Sequence, residues 1–303
     1  MRIFITGSDG FIGQHMVERL KDKHELFFLQ NDLRRHELVR WELEQANPEI
    51  IVHLAARTEV EDSFYEQVTF SEINYVGTVN LIEVAATLPN LKNFIFASTM
   101  EVYGWQPISD LIRKDGKNVT ITAFDENTPP NPNAPYAVAK YGCEKYLEYA
   151  HRSLNLPFTA LRQTNSYGRK DNDFFVTEQI IHQMLTTDDV HLGYSDTYRN
   201  FIYIDDLLDA WEVVIENPDK CQGEIFCVGP PNAIKISDYA DMIAKKIGWE
   251  GTIKWDTKPY RPGEIWLLNS SNDKITSKLG WSPKIDLDHG LDLTISTWRE
   301  ICK

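Results

Sequence analysis

The segment Thr6-Gly7-Ser8-Asp9-Gly10-Phe11-Ile12-Gly13 limits what this chain can fold into more than any other stretch. It stands between a short apolar run, Arg2–Thr6, and a stretch from Phe11 to about Lys21 with helical spacing. Glycines in a G-x-x-G-x-x-G turn permit a tight reversal and let backbone N–H groups approach a diphosphate. The positive end of the following helix favours the same anion. A bare glycine motif carries little information, and its place between a strand and a helix is what gives this one weight.

The turn opens a regular alternation. Leu26–Leu29 is strand-like, and the residues after Asp32 keep helical spacing as far as Pro48. Ile50–Ala55 reads as a strand, Asn74–Ala86 as a helix, Asn93–Ser98 as a strand, Pro135–Leu154 as a long helix and Phe158–Arg162 as a strand. Strand, helix, strand repeated in this way predicts an α/β fold, a doubly wound parallel sheet with ligands beyond the carboxyl ends of its strands. The alternation breaks after about Tyr167. Helices are expected at Thr177–Leu185, Asp206–Ile215, Ser237–Ile247 and Gly290–Ile301, with strands near Val190–Gly193 and Phe201–Ile204. The polar stretch Trp105–Pro135, with Pro107, Pro129, Pro130 and Pro132, reads as a loop near the site.

Charge excludes some partners. Lys and Arg number 31 against 45 Asp and Glu, a net charge of −14, so no basic field exists to hold nucleic acid or an anionic membrane. No apolar run approaches the roughly 20 residues that span a bilayer. Met1 leads into the first strand without the pattern of a secretory leader. Cys143, Cys221, Cys227 and Cys302 form no C-x-x-C pair, and the eight His form no H-E-x-x-H. The expectation is a cytoplasmic protein with reduced thiols and no metal site.

Two motifs point to redox chemistry on a hydroxyl. Tyr136 and Lys140 stand four residues apart, on one face of the long helix. An ammonium near a phenol favours phenolate, which predicts a Tyr136 pKa below its usual value of about 10. Ser98-Thr99-Met100-Glu101-Val102-Tyr103-Gly104 comes directly after a strand, and Thr99 can hold the reacting oxygen. Past the second strand, Asp32 is the one acid among Gln30, Asn31 and Asp32 that could meet an adenosine ribose, which favours NAD. Arg34 and Arg35 would instead suit the 2′-phosphate of NADP or form a solvated helix face.

Together these residues resemble the extended short-chain dehydrogenases/reductases of the nucleotide-sugar epimerase and dehydratase group. The likeness continues through Ile51–Ala56, Asn74–Leu81, Leu161–Gly168, Arg199–Asp206, Arg261–Glu264 and Leu279–Pro283. The resemblance implies a Rossmann NAD domain over residues 1–168, with a returning segment at about 200–228. A smaller mixed α/β nucleotide-sugar domain over 169–199 and 229–303 is implied with it. It also implies a homodimer paired through the Asn74–Ala86 and Pro135–Leu154 helices. By position, Gly7, Gly10, Phe11, Ile12, Gly13, Asp32, Leu33, Leu54, Ala55, Ala56, Thr58, Tyr136 and Lys140 would contact the cofactor. Asn165, Arg199 and Arg261, with Thr99, would contact substrate, the two Arg facing its diphosphate. The connection between the second and third strands is shorter than in many relatives, and Gln30 falls where many NAD users carry an acid.

The group's shared first step is oxidation of a sugar hydroxyl, usually at C4, with Tyr136 as base and Thr99 holding the oxygen. Glu101 selects the fate of the ketone. A 4,6-dehydratase needs a base for the C5 proton, and Ser-Thr-x-Glu-Val-Tyr-Gly resembles hexose 4,6-dehydratases. Met100 departs from dehydratases that carry an acid there. The leading expectation is therefore an NAD-dependent nucleotide-sugar 4,6-dehydratase, with a 4-epimerase second. A ketosugar reductase using NADPH and a non-catalytic nucleotide-binding scaffold stand behind them. Trp105, Trp255, Trp266 and Trp281 could stack on a base or sugar, although Trp more often serves packing.

Overall fold

The computed structural model describes residues 1–106, 112–115, 118–257 and 261–303. Six parallel strands form the central sheet: β1 (Arg2–Thr6), β2 (Glu25–Phe28), β3 (Ile50–His53), β4 (Asn93–Thr99), β5 (Phe158–Gln163) and β6 (Glu224–Val228). Their order is β6-β5-β4-β3-β1-β2. The chain steps from β1 out to β2 and then back across to β3, so the order reverses between β1 and β3. That reversal opens a crevice at their carboxyl ends. The short β2–β3 connection holds one helix, His36–Ala46, and leaves β2 at the sheet edge.

Alternating side chains feed a core on each face of the sheet. Ile3, Ile5, Ile50, Val52 and Ile95 pack against Met16 and Leu20 of the Phe11–Leu20 helix and against the Ile204–Glu216 helix. Phe4, Ile51, Phe94 and Phe96 point the other way, onto Val39, Leu43, Leu81 and Leu147. β4 is buried along its whole length because it lies mid-sheet with helices on both sides. A third core joins the Val176–Thr186, Ile236–Ile247 and Leu287–Ile301 helices around Ile180, Tyr239 and Leu291.

The long helix spans Pro135–Leu154, as its sequence predicts. Pro135 is placed at the first turn, where its missing N–H costs nothing, and Asn155 ends the helix in the left-handed conformation. Two elements differ from expectation. The helix expected from Asn74 begins at Gln67 and passes through a π-helical stretch, Ser71–Val76, into Gly77–Ala85. There the buried Asn74 side chain clasps the backbone of Arg57, accepting its N–H at 2.8 Å and donating to its carbonyl at 2.9 Å. The expected loop after Trp105 contains an antiparallel hairpin, Ile112–Asp115 with Asn118–Ile121. Pro107 lies outside the described residues.

Among the described residues no helix is long and apolar enough to cross a membrane, and no His, Cys, Asp and Glu cluster could hold a metal ion.

Candidate active site

A cleft of about 920 Å³ opens beyond the carboxyl ends of β1, β3, β4 and β5. The glycine turn forms one wall. A Cβ on Gly13 would lie 2.0 Å from the Gly7 carbonyl oxygen, and one on Gly7 would lie 2.7 Å from the Ala55 nitrogen. Only glycine permits that packing, and Gly7 also holds φ at +72°. The helix after the turn has Gly10 at its N-cap, with no capping side chain and no acid in its first turn. Its first amides are thus left for an anion, so the residues present fit a dinucleotide diphosphate. Gly7, Gly10, Phe11, Ile12, Gly13, Leu54, Ala55, Ala56 and Thr58 all line this cleft.

Thr99, Glu101, Tyr136 and Lys140 line it as well. Thr99 ends β4 and caps the single turn Met100–Tyr103, its hydroxyl accepting the Glu101 N–H at 3.2 Å. Tyr136 and Lys140 are both buried. The Tyr136 phenol contradicts the expectation of an acidified tyrosine. Burial pushes its pKa up and the Glu101 carboxylate adds to the rise, while a hydrogen bond with Thr99 opposes both. Lys140 does not offset these effects. Its ammonium donates to the Ala97 carbonyl at 2.8 Å and lies 6.0 Å from the centre of the Tyr136 ring. Burial lowers Lys140 itself to about 8.

Glu101 is raised by burial. Arg199 and Arg261 pull its pKa down, and Glu264 pushes it up. Met100 is buried in a separate apolar cluster with Val102, Phe124 and Leu268, so its side chain belongs to packing. Arg199 is buried, its Nη2 donating to the Ile265 carbonyl at 2.6 Å and lying 3.3 Å from Glu264. Arg261 is more exposed, 3.6 Å from Glu61. Asn165 begins a strand paired in parallel with Phe201–Tyr203. All three line the same cleft.

Asp32 and Leu33 do not join them. Arg34, two residues on, chelates the Asp32 carboxylate through Nε at 3.0 Å and Nη2 at 2.6 Å and holds its pKa at about 2. Leu33 is buried in the core. The two are absent from the cleft lining, because the short β2–β3 connection turns Leu33 inward beneath the Gly77–Ala85 helix. At the end of β2, buried Glu42 instead accepts the N–H groups of Gln30 and Asn31, at 2.9 and 3.1 Å. The four tryptophans also lie outside the cleft lining, and Trp281 is buried against the Asp206 carbonyl. Glu264 and Arg169 line the cleft and were not singled out in the sequence. The signal for Glu264 was its place in Arg261-Pro-Gly-Glu264, and for Arg169 its place directly after Tyr167-Gly168.

Beneath the cleft runs a buried polar chain. Ser98 donates to Glu144 at 2.5 Å, Arg162 pairs with Glu144 at 2.7 Å, and Arg162 donates to the Tyr103 hydroxyl at 2.8 Å. Glu144 lies one turn past Lys140, so this chain ties the long helix to β4 and β5.

A family model described as GDP-mannose 4,6 dehydratase matches residues 21–294. The chain belongs to that family, within the extended short-chain dehydrogenases/reductases that include nucleotide-sugar epimerases and dehydratases. It is similar to dTDP-glucose 4,6-dehydratase of Streptomyces niveus, at 29% identity over 99% of this chain and 93% of that one. Among solved structures it is similar to UDP-glucose 4-epimerase of Thermotoga maritima with UDP-glucose, at a TM-score of 0.88 and 28% identity, both chains covered fully. It is also similar to UDP-glucose 4-epimerase of Thermus thermophilus in complex with NAD, at 0.86 and 26%, with 99% of each chain covered.

Proposed function

We propose that this protein is an NAD-dependent nucleotide-sugar 4,6-dehydratase. The observation that carries the reading is Glu101, a carboxylate in the same cleft as Thr99 and Tyr136. NAD, when bound, supplies the acceptor and later the donor of a hydride, and its ring charge favours phenolate. Tyr136 takes the proton of the sugar C4 hydroxyl while Thr99 holds that oxygen. The resulting 4-ketone acidifies C5, and Glu101 removes the C5 proton and passes it to the C6 hydroxyl, which leaves as water. Hydride would then return to C6, and the proton first taken by Tyr136 would be returned at C5. Arg199 and Arg261 hold the diphosphate, which supplies local positive charge within a chain of net charge −14.

Binding of NAD at the glycine turn is supported by the open amides of the first helix and by the NAD complex of the Thermus relative. We assign NAD binding chiefly to residues 1–168 with a returning segment at about 200–228, and nucleotide-sugar binding chiefly to 169–199 and 229–303. A second copy is proposed to dock on the helices at 67–85 and 135–154, where Val68, Val76, Val138 and Tyr149 are exposed. The four free thiols suit a reducing, cytoplasmic setting.

The second reading is a 4-epimerase. The burial of Met100 favours it, since no acid occupies that position for the departing hydroxyl. Incubation with NAD and a panel of nucleoside-diphosphate sugars separates the two. A product one water lighter identifies the dehydratase, and an isomer of unchanged mass identifies the epimerase.

A further inference from the structure

Arg169 holds an unusual position. Its guanidinium lies between two aromatic rings, 4.2 Å from the centre of Phe11 and 3.9 Å from that of Phe175. Phe11 is the first residue of the helix that opens at the glycine turn. Phe175 is the N-cap of the Val176–Thr186 helix, which belongs to the third core. The side chain is more than nine-tenths buried, yet the residue lines the cleft. One nitrogen, Nη1, bonds the Ser166 carbonyl and lies 3.5 Å from Glu178 Oε2. Nε and Nη2 make no hydrogen bond among the described residues.

Neither nitrogen is among the buried atoms that lack a partner, so these unused donors open on the cleft rather than being sealed in the protein. Glu178 is fully buried and compensates the charge. Its Oε1 is already committed to the N–H groups of Gly168 and Arg169, at 2.9 and 3.0 Å, which fixes the backbone from which Arg169 projects. Stacking between two rings fixes the plane of the guanidinium and presents its remaining edge without further loss of freedom. Such a fork suits phosphate oxygens. The anion nearest to hand is the one that the open amides of the Phe11 helix would bind.

We infer that Arg169 is a binding residue for the cofactor's diphosphate, seated against Phe11 beside the glycine turn. The inference rests on the reading that this turn holds the dinucleotide. The diphosphate is then gripped by backbone amides from residues 10–13 and by a guanidinium from the segment after β5. Phe11 and Phe175 keep that guanidinium in place, and neither Lys nor Met at position 169 can reproduce the fork.

The test is NADH affinity, read by fluorescence, in Arg169→Met/Glu178→Gln. The double substitution avoids leaving Glu178 buried without its cation, and thermal unfolding confirms the fold. The expected result is a rise in Kd of about ten-fold or more, the loss of one charge-assisted phosphate contact. ADP should weaken likewise while adenosine does not, and Arg169→Lys should fall between. Unchanged NADH affinity in the folded variant overturns the proposal. So does equal weakening of adenosine, which would make Arg169 a determinant of cleft shape, or weakening of UDP alone, which would assign it to substrate. Gly13→Val tests the underlying reading separately. If that variant folds and binds NADH normally, the dinucleotide is not at the turn.

Discussion

Lys140 donates its ammonium to the Ala97 carbonyl at 2.8 Å, joining the long helix to the strand that carries Thr99. The bond places the charge beneath the phenol and leaves burial to dominate at Tyr136, whose pKa is raised. Lys140 is therefore both an anchor and the nearest cation of the same helix face. Its own pKa of about 8 places a titration inside the working range of most assays.

Lys140 is charged below about pH 8 and neutral above it, having been lowered by burial from 10.5. The neutral amine holds the Ala97 carbonyl more weakly and loosens the seat of Tyr136, so kcat/KM should decline as pH rises through about 8. Lys140→Arg retains a cation there and should shift that decline to higher pH. An unchanged alkaline limb in the Arg variant would show that another group controls it.

Tyr136→Phe removes the proton acceptor while leaving the ring in its buried place. Turnover should fall by about 10²–10⁴-fold, the usual contribution of a positioned acid or base. NADH affinity should change little. Steady-state kinetics and a binding titration on the same preparation check both parts.

Glu101→Gln should separate the two halves of the proposed reaction. Reduction of bound NAD by the nucleotide sugar should persist, seen as nicotinamide absorbance, while loss of water stops. If the variant dehydrates its substrate at the rate of the parent, Glu101 is not the C5 base.

His53 governs part of the acid stability. It is wholly buried between Thr6 and Thr78, whose hydroxyls lie 2.6 and 2.8 Å from its two ring nitrogens, and burial lowers its pKa to about 3. An unfolded His takes a proton below about 6.5. The stability from this group is complete above that pH and is lost as pH falls toward 3, a change on the order of 5 kcal/mol. Urea unfolding at stepped pH should show a shallower acid decline in His53→Gln than in the parent.

Glu144 and Arg162 form a buried ion pair at 2.7 Å. Glu144→Gln leaves the Arg162 charge without its partner and should cost about 3–5 kcal/mol. Replacing both, as Glu144→Leu/Arg162→Met, should recover part of that loss. Chemical denaturation of the two variants reports the difference.

Much of the fold was legible because its signals are local. Pro135 and Asn155 bracket the long helix, and the β1 run and glycine turn fix the start of the sheet. The site was legible where spacing fixes a face, as for Tyr136 and Lys140. What spacing does not reveal is the partner across the fold. Lys140 bonds Ala97 on a neighbouring strand, and Asp32 bonds Arg34. Arg169 depends on Phe11, far away in sequence, and Glu264 on Arg199. The π-helical entry at Ser71–Val76 coincides with the clasp of Asn74 on Arg57, a tertiary contact without a periodic signature.

Product mass after incubation with NAD and nucleoside-diphosphate sugars tests the central claim most directly, with Glu101→Gln run in parallel. The account predicts a 4-keto-6-deoxy product one water lighter than its substrate from the parent protein, and none from the variant. A product of unchanged mass formed equally by both would contradict it and assign the cleft to epimerisation.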